Sequence, residues 1–125
     1  MDENDIGQIV IDAAIKLHRE TGPGLLESVY ETLLEHDLKN RGLQVARQVP
    51  IPLNYKGITF DEGFRADIVV ENKVILELKS VDKISKVHKK QVLTYLKLTD
   101  LKLGYVLNFG EEKMIDGIVR LVNDL

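Results

Sequence analysis

Asp67, Glu77 and Lys79 occupy strand-forming positions in the stretch Phe64 to Ser80, FRADIVVENKVILELKS, where their neighbours point to a buried β-hairpin. Two runs rich in β-branched residues, Ala66 to Glu71 and Val74 to Lys79, flank Asn72-Lys73, which reads as the turn. Charged side chains amid Ile, Val and Leu are costly unless they pair with one another or hold an ion. Side chains alternate faces along a strand, so Glu77 and Lys79 share a face with Ile75, and Asp67 shares one with Val69. A strict two-residue loop would set Asp67 and Glu77 on opposite faces. An odd loop pairs Val70 with Val74 and brings Asp67 across from Glu77. It also aligns Ile68 and Val70 with Val74, Leu76 and Leu78, and is the preferred register. The two carboxylates then face each other at roughly 5 Å between Cβ atoms. They repel unless a cation lies between them, and hard oxygen donors of this kind suit Mg2+ or Mn2+. The plainer alternative is a half-exposed hairpin whose acids pair with Lys79 and Lys73.

Composition narrows the remaining chemistry. At 125 residues the chain is read as one domain, with 44% hydrophobic and 30% charged residues, ordinary for a globular protein. It has no cysteine, which excludes disulfides, thiolate metal sites and a cysteine nucleophile. His18, His36 and His88 are scattered without ligand spacing and read as surface or boundary residues. Gly22-Pro23-Gly24 lacks the Gly-Lys-Ser/Thr that a phosphate loop needs. Met1 leads into Asp2, Glu3 and Asp5, the wrong charge for a signal peptide, and no apolar run reaches membrane-spanning length. A cytoplasmic protein away from membranes is expected. The net charge of −3 argues against indiscriminate nucleic-acid binding, yet seven lysines (79, 83, 86, 89, 90, 97, 102) crowd the segment 79–102 against Asp82 and Asp100. They make either a solvated helix face or a surface turned toward phosphate.

The elements that must carry these residues follow from periodicity. Ile6, Ile9, Val10, Ala13, Ala14 and Leu17 predict a helix over 5–21, capped by Asp5 with Gln8 and stopped by Gly22-Pro23-Gly24. A second helix is expected over 25–41, with Leu26, Val29, Tyr30, Leu33 and Leu38 buried and Glu27 in the first turn, where the helix dipole favours an acid. Strands are expected at 43–49, 51–55 and 58–60, with a turn at Lys56-Gly57 and another at Asp61-Glu62-Gly63 before the central hairpin. Pro50 and Pro52 mark an edge or a bend. A helix over 84–98 presents Ile84, Val87, Gln91, Tyr95 and Leu98 on one side, widened by Val92, Leu93 and Leu96. Strands at 103–109 and 114–122 close the chain, the last at an edge. The helix over 84–98 suits a crossover that makes 74–79 and 103–109 parallel neighbours.

In these residues the chain resembles a known family. Gly24 to Tyr30, GLLESVY, is similar to the motif of the GxxExxY proteins, and the D-x9-E-L-K of Asp67 to Lys79 resembles the core of the PD-(D/E)XK nuclease superfamily to which they are assigned. Gln91 to Tyr95 resembles the Q-x-x-x-Y motif of RecB-like nucleases, and LGYVLNFG (Leu103 to Gly110) the closing strand. The likeness runs from about Ile6 to Val122, with Ala66 in place of the proline before the aspartate. It implies a single α/β domain over 1–125 with a restriction-endonuclease-like mixed β-sheet core flanked by helices (α-α-β-β-β-β-α-β-β). It further implies that Asp67 and Glu77 bind the metal with the Leu78 carbonyl. Lys79 would orient or deprotonate the attacking water, and Glu27 would serve as an outer acid or second metal ligand. Gln91 and Tyr95, one helical turn apart, would face the site and touch phosphate or the Lys79 region. The implied activity is Mg2+- or Mn2+-dependent hydrolysis of nucleic-acid phosphodiesters, DNA more than RNA. That reaction needs an activated water and relief of charge on the phosphate, which a two-carboxylate metal and a desolvated lysine supply. The rival readings are a non-catalytic nucleic-acid- or protein-binding module on the same fold, and a hydrolase of other phosphate esters. A homodimer would double the binding surface.

Overall fold

In the computed structural model, which describes residues 1–125, the N-terminal helix α1 spans Glu3–Thr21. Its cap is Asp2, whose side chain accepts the Asp5 N–H at 2.8 Å while the Asp5 side chain reciprocates. The expected Asp5/Gln8 box is thus displaced by three residues, because two acids at that spacing satisfy the orphan amides reciprocally. Helix α2 (Glu27–Asn40) buries Tyr30, Leu34 and Leu38, spaced four apart. Leu26 and Val29, expected in that stripe, are exposed, and Leu33 is half-buried.

Strands β1 (Val45–Tyr55) and β2 (Ile58–Val70) form one long hairpin about Lys56-Gly57. The short strands expected at 43–49 and 51–55 are a single strand, as are those at 58–60 and 66–71, with Asp61-Glu62-Gly63 extended rather than turned. The pairs Ile51–Phe64 and Leu53–Phe60 on either side hold these three unpaired residues extended, and the register shift opposite Pro52 takes up the extra length. Pro50 and Pro52 are tolerated because β1 is an edge strand, irregular in register only between Ile51 and Leu53. Then follow β3 (Val74–Lys79), α3 (Lys86–Thr99, capped by Ser85 with His88) and β4 (Leu103–Asn108). The expected strand 114–122 begins instead with a 3-10 turn, Met114–Gly117, before β5 (Ile118–Val122).

The five strands lie in the order β1-β2-β3-β4-β5. β2 and β3 pair antiparallel with Val70 opposite Val74 and Ile68 opposite Leu76, the register preferred from the hydrophobic pattern. β3 and β4 are parallel, joined by the α3 crossover, and β5 is the antiparallel edge. This mixed sheet flanked by helices is the restriction-endonuclease-like α/β architecture. Ile68, Val70, Val74, Leu76 and Leu78 pack with α1 and α2 in one core, and Val69, Ile75 and Val106 pack with Val92 and Leu96 of α3 in the other. The buried stripe of α3 is therefore narrow, and Val87 and Leu98, expected within it, are exposed.

The narrow stripe works because the sheet lets α3 come close. A Cβ added at Gly104 of β4 would stand 2.7 Å from the Val92 methyl and 3.3 Å from the Ile75 carbonyl. Gly104→Ala is expected to push α3 outward at a cost of about 1–3 kcal/mol, lowering Tm by roughly 5–10 °C in a thermal melt. An unchanged Tm would show that α3 is not held at this point.

Candidate active site

The β2–β3 ladder ends at Ile68 and Leu76, and the next residues are Asp67 and Glu77. Where backbone pairing stops, side chains take over. The Leu78 N–H donates to Asp67 Oδ2 at 2.9 Å, and the Asp67 N–H donates to Glu77 Oε1 at 3.2 Å. Each carboxylate thus caps the opposite strand with one oxygen. Because a strand residue points its N–H and C=O to the same side, the Leu78 carbonyl is also directed toward β2. Lys79 turns the other way, its carbonyl accepting the Phe109 N–H at 2.8 Å.

Electrostatics sets this pair apart. Glu77 is only 7% exposed, and burial pushes its pKa from 4.5 up to about 8; the Asp67 charge and a side-chain hydrogen bond to Asp67 act in the same direction. The Asp67 N–H and the positive charge of Lys79 oppose the rise. No salt bridge joins either acid to Lys79 or Lys73; Lys73 instead donates to the Met1 carbonyl at 2.7 Å. The plainer reading of a hairpin with lysine-paired acids does not describe this site. Tyr95 of α3 stacks on Phe64 at 3.7 Å between ring centroids. Its phenol is held above the ordinary tyrosine range first by burial and then by the charges of Glu77 and Asp67. Gln91, one turn earlier on α3, is exposed.

The start of α2 reaches the end of β3 through Ser80, whose hydroxyl donates to the Leu25 carbonyl at 2.8 Å. Gly24 has φ +104°, a conformation that glycine adopts freely. The Tyr30 hydroxyl donates to the Gly22 carbonyl at 2.5 Å and accepts the Leu25 N–H, while its ring stacks on Phe109. The glycine and tyrosine of GLLESVY therefore shape the loop that presents Glu27. That residue is exposed and makes no hydrogen bond or salt bridge of its own.

Three contributors had no functional reading in the sequence. Asn108, fully buried, binds both polar groups of Val81 and so pins the loop leaving Lys79. An amide ending an otherwise apolar strand was the available signal. Phe64 seats Tyr95. Glu31, buried on α2, accepts from Gln48 and Arg47 of β1. The histidines are structural: His18, buried rather than at the surface, bonds the Glu111 carbonyl, His36 bonds Asn40, and His88 caps α3.

Residues 4–121 match the family model of the PD-(D/E)XK nuclease superfamily. The chain belongs to the PD-(D/E)XK nuclease superfamily. No curated protein and no solved structure matches it. As in the superfamily pattern, an aspartate and a glutamate followed two residues later by a lysine stand on adjacent strands. The donor set fits a hard divalent cation, with two hard-oxygen acids repelling each other where Glu77 is desolvated and each accepting only one backbone N–H. No three His, Asp or Glu side chains are placed together so as to hold one metal ion, so Glu27 does not join Asp67 and Glu77 in such a group.

Native Glu77 binds its proton more tightly than the unfolded chain does. Its contribution to stability is full below the unfolded value of 4.5 and is lost as pH rises through about 8. In EDTA, wild-type Tm is expected to fall across that window, and Glu77→Gln to melt several degrees higher than wild type near its upper end with a flatter profile. Parallel pH profiles for the two chains would contradict a proton held at Glu77.

Proposed function

We propose that this superfamily member is a Mg2+- or Mn2+-dependent nuclease that hydrolyses nucleic-acid phosphodiester bonds, DNA in preference to RNA. The carrying observation is the convergence of two carboxylates at the end of a strand ladder, with Lys79 on the same strand as Glu77 and free of any salt bridge. The likeness of GLLESVY to the GxxExxY group supports the same assignment.

Asp67 and Glu77 would hold the ion, with the Leu78 carbonyl as a further donor and Glu27 as an outer acid. When bound, the ion supplies Lewis acidity at the phosphoryl oxygens and acidifies the attacking water. Lys79 sets a positive charge against the charge developing on the phosphate and orients or deprotonates the water. Tyr95, which keeps its phenolic proton well into alkaline pH, offers an O–H donor to a phosphate oxygen, and Gln91 an amide. None of the seven lysines between 79 and 102 forms a salt bridge. Lys86, Lys90 and Lys97 recur on one side of α3, roughly 160° around the helix from Tyr95, and offer a separate basic stripe to backbone phosphates.

One observation favours the rival reading of a non-catalytic binding module: no third ligating side chain accompanies the two acids. Calorimetry and a cleavage assay separate the two. Wild type is expected to bind Mn2+ more tightly, with release of a proton, as pH rises from about 6 to 8. Asp67→Ala, Glu77→Ala and Lys79→Ala are each expected to lower cleavage at least about 100-fold. Cleavage surviving in all three variants would reject the site, and metal-independent binding without turnover would favour the module.

The lysine surface has its own test. Changing Lys86, Lys90 and Lys97 together to alanine is expected to weaken duplex binding without preference for sequence and to flatten the slope of log K against log salt by about 0.9 per lysine. An unchanged slope would place the nucleic acid elsewhere.

A further inference from the structure

Gln48 is the only residue within a helix or strand, other than glycine, with a left-handed backbone, at φ +50°. Such a conformation costs an L-residue of this kind about 1–2 kcal/mol and persists only where its surroundings enforce it. Its position is not arbitrary. Arg47 pairs with Ile68 and Val49 with Ala66, so Gln48 is the β1 residue facing Asp67, and that one pair is missing from the ladder.

The consequences are visible on both strands. Consecutive strand residues should point to opposite faces, yet Arg47 and Gln48 both reach Glu31. Glu31 Oε1 accepts Gln48 Nε2 at 2.8 Å, and Oε2 accepts Arg47 Nη2 at 2.8 Å and Nε at 3.1 Å. Beyond this point the alternation has slipped by one. Val45 packs with the α1/α2 core but Val49 and Ile51 with the α3 core; on β2, Ile68 and Val70 lie on the first side and Ala66 and Phe64 on the second. The sheet is creased at the 48/67 pair. An extended residue 48 would share a face with the Asp67 opposite it and crowd the carboxylate.

We propose that Gln48, held left-handed by the buried Glu31, is a positioning residue: it withdraws β1 from Asp67, clears the space beside Asp67 and Glu77, and leaves Asp67 aimed at the Leu78 amide. This rests on the nuclease reading only for what the cleared space receives. The aim of Asp67 is read independently.

Two readouts on Gln48→Gly and Gln48→Val test it. Glycine accepts the left-handed backbone, whereas a β-branched residue resists it and returns toward extended geometry. Hydrogen-exchange protection of the Leu78 amide in metal-free buffer reports the Asp67 contact, and calorimetric Mn2+ affinity reports the site. The glycine variant is expected to keep Leu78 protection and to bind Mn2+ within about threefold of wild type. The valine variant is expected to lose the protection and to bind about tenfold or more weakly. A folded valine variant with wild-type protection and affinity, or a glycine variant as impaired as valine, overturns the proposal. If circular dichroism finds the valine variant unfolded, Gln48→Ala replaces it: alanine losing Leu78 protection that glycine keeps supports the proposal, and equal protection in the two overturns it. If wild type itself binds no Mn2+, the nuclease reading falls, while the Leu78 amide still decides the role of Gln48.

Discussion

Asp67 and Glu77 carry the same charge, stand where β2 and β3 part, and have to be kept together against their own repulsion. The fold does this with backbone rather than with countercharge, since each carboxylate accepts an N–H from the other strand and no lysine closes on either. What remains is an electrostatic demand with two answers. A proton on Glu77, whose pKa is raised to about 8, relieves the repulsion in the free protein. A divalent cation bound there would relieve it too and would displace that proton, so the perturbed acid and the proposed metal site would be two states of one arrangement.

Such a pair needs a rigid floor, and β3 supplies it. Val74 to Leu78 are all buried, the strand is paired on both sides, and its parallel ladder with β4 runs on past the point where β2 leaves. The loop that follows is fixed as firmly. Asn108 binds the Val81 backbone from below, and Gly110 lies so close that an added Cβ would stand 2.6 Å from the Val81 nitrogen. Lys79 and Ser80 are therefore bracketed between a buried strand and a pinned turn, and the lysine has only its own side chain left to move. Groups that act on a developing charge gain most when they need not reorganise.

The parts of this arrangement that follow strand parity were legible in the sequence. The alternation of Ile68 and Val70 with Val74, Leu76 and Leu78 identified the hairpin register, and the length of the α3 segment identified the parallel crossover. Where the reading slipped, a longer-range interaction had displaced a local signal. Asp61-Glu62-Gly63 carries turn residues but lies extended within β2, unpaired opposite Pro52 and held by the flanking pairs Ile51–Phe64 and Leu53–Phe60. Val87 and Leu98 have helical spacing, but Gly104 draws α3 in along the line of Val92 and Leu96 and leaves them exposed. The crease at Gln48 was least legible of all. Glutamine has no special preference for a left-handed backbone, and the cause lies 17 residues away in sequence, in the buried Glu31.

Helix α2 shows how one short segment divides its labour. Its core residues Tyr30, Leu34 and Leu38 hold it to the sheet, and Tyr30 also closes the Gly22–Leu25 loop and stacks on Phe109, whose N–H binds the Lys79 carbonyl. The two acids of its first turns lie four residues apart on one side of the helix and meet opposite environments. Glu27 is exposed in the first turn, and Glu31 is buried against β1. An exposed carboxylate at a helix N-terminus is favoured by the dipole and costs little to keep free. A buried one must be fully bonded, and Glu31 meets that requirement by taking Arg47 and Gln48 together. The contact that satisfies Glu31 is thus the one that bends β1 away from Asp67, which ties the desolvation of one acid to the exposure of another.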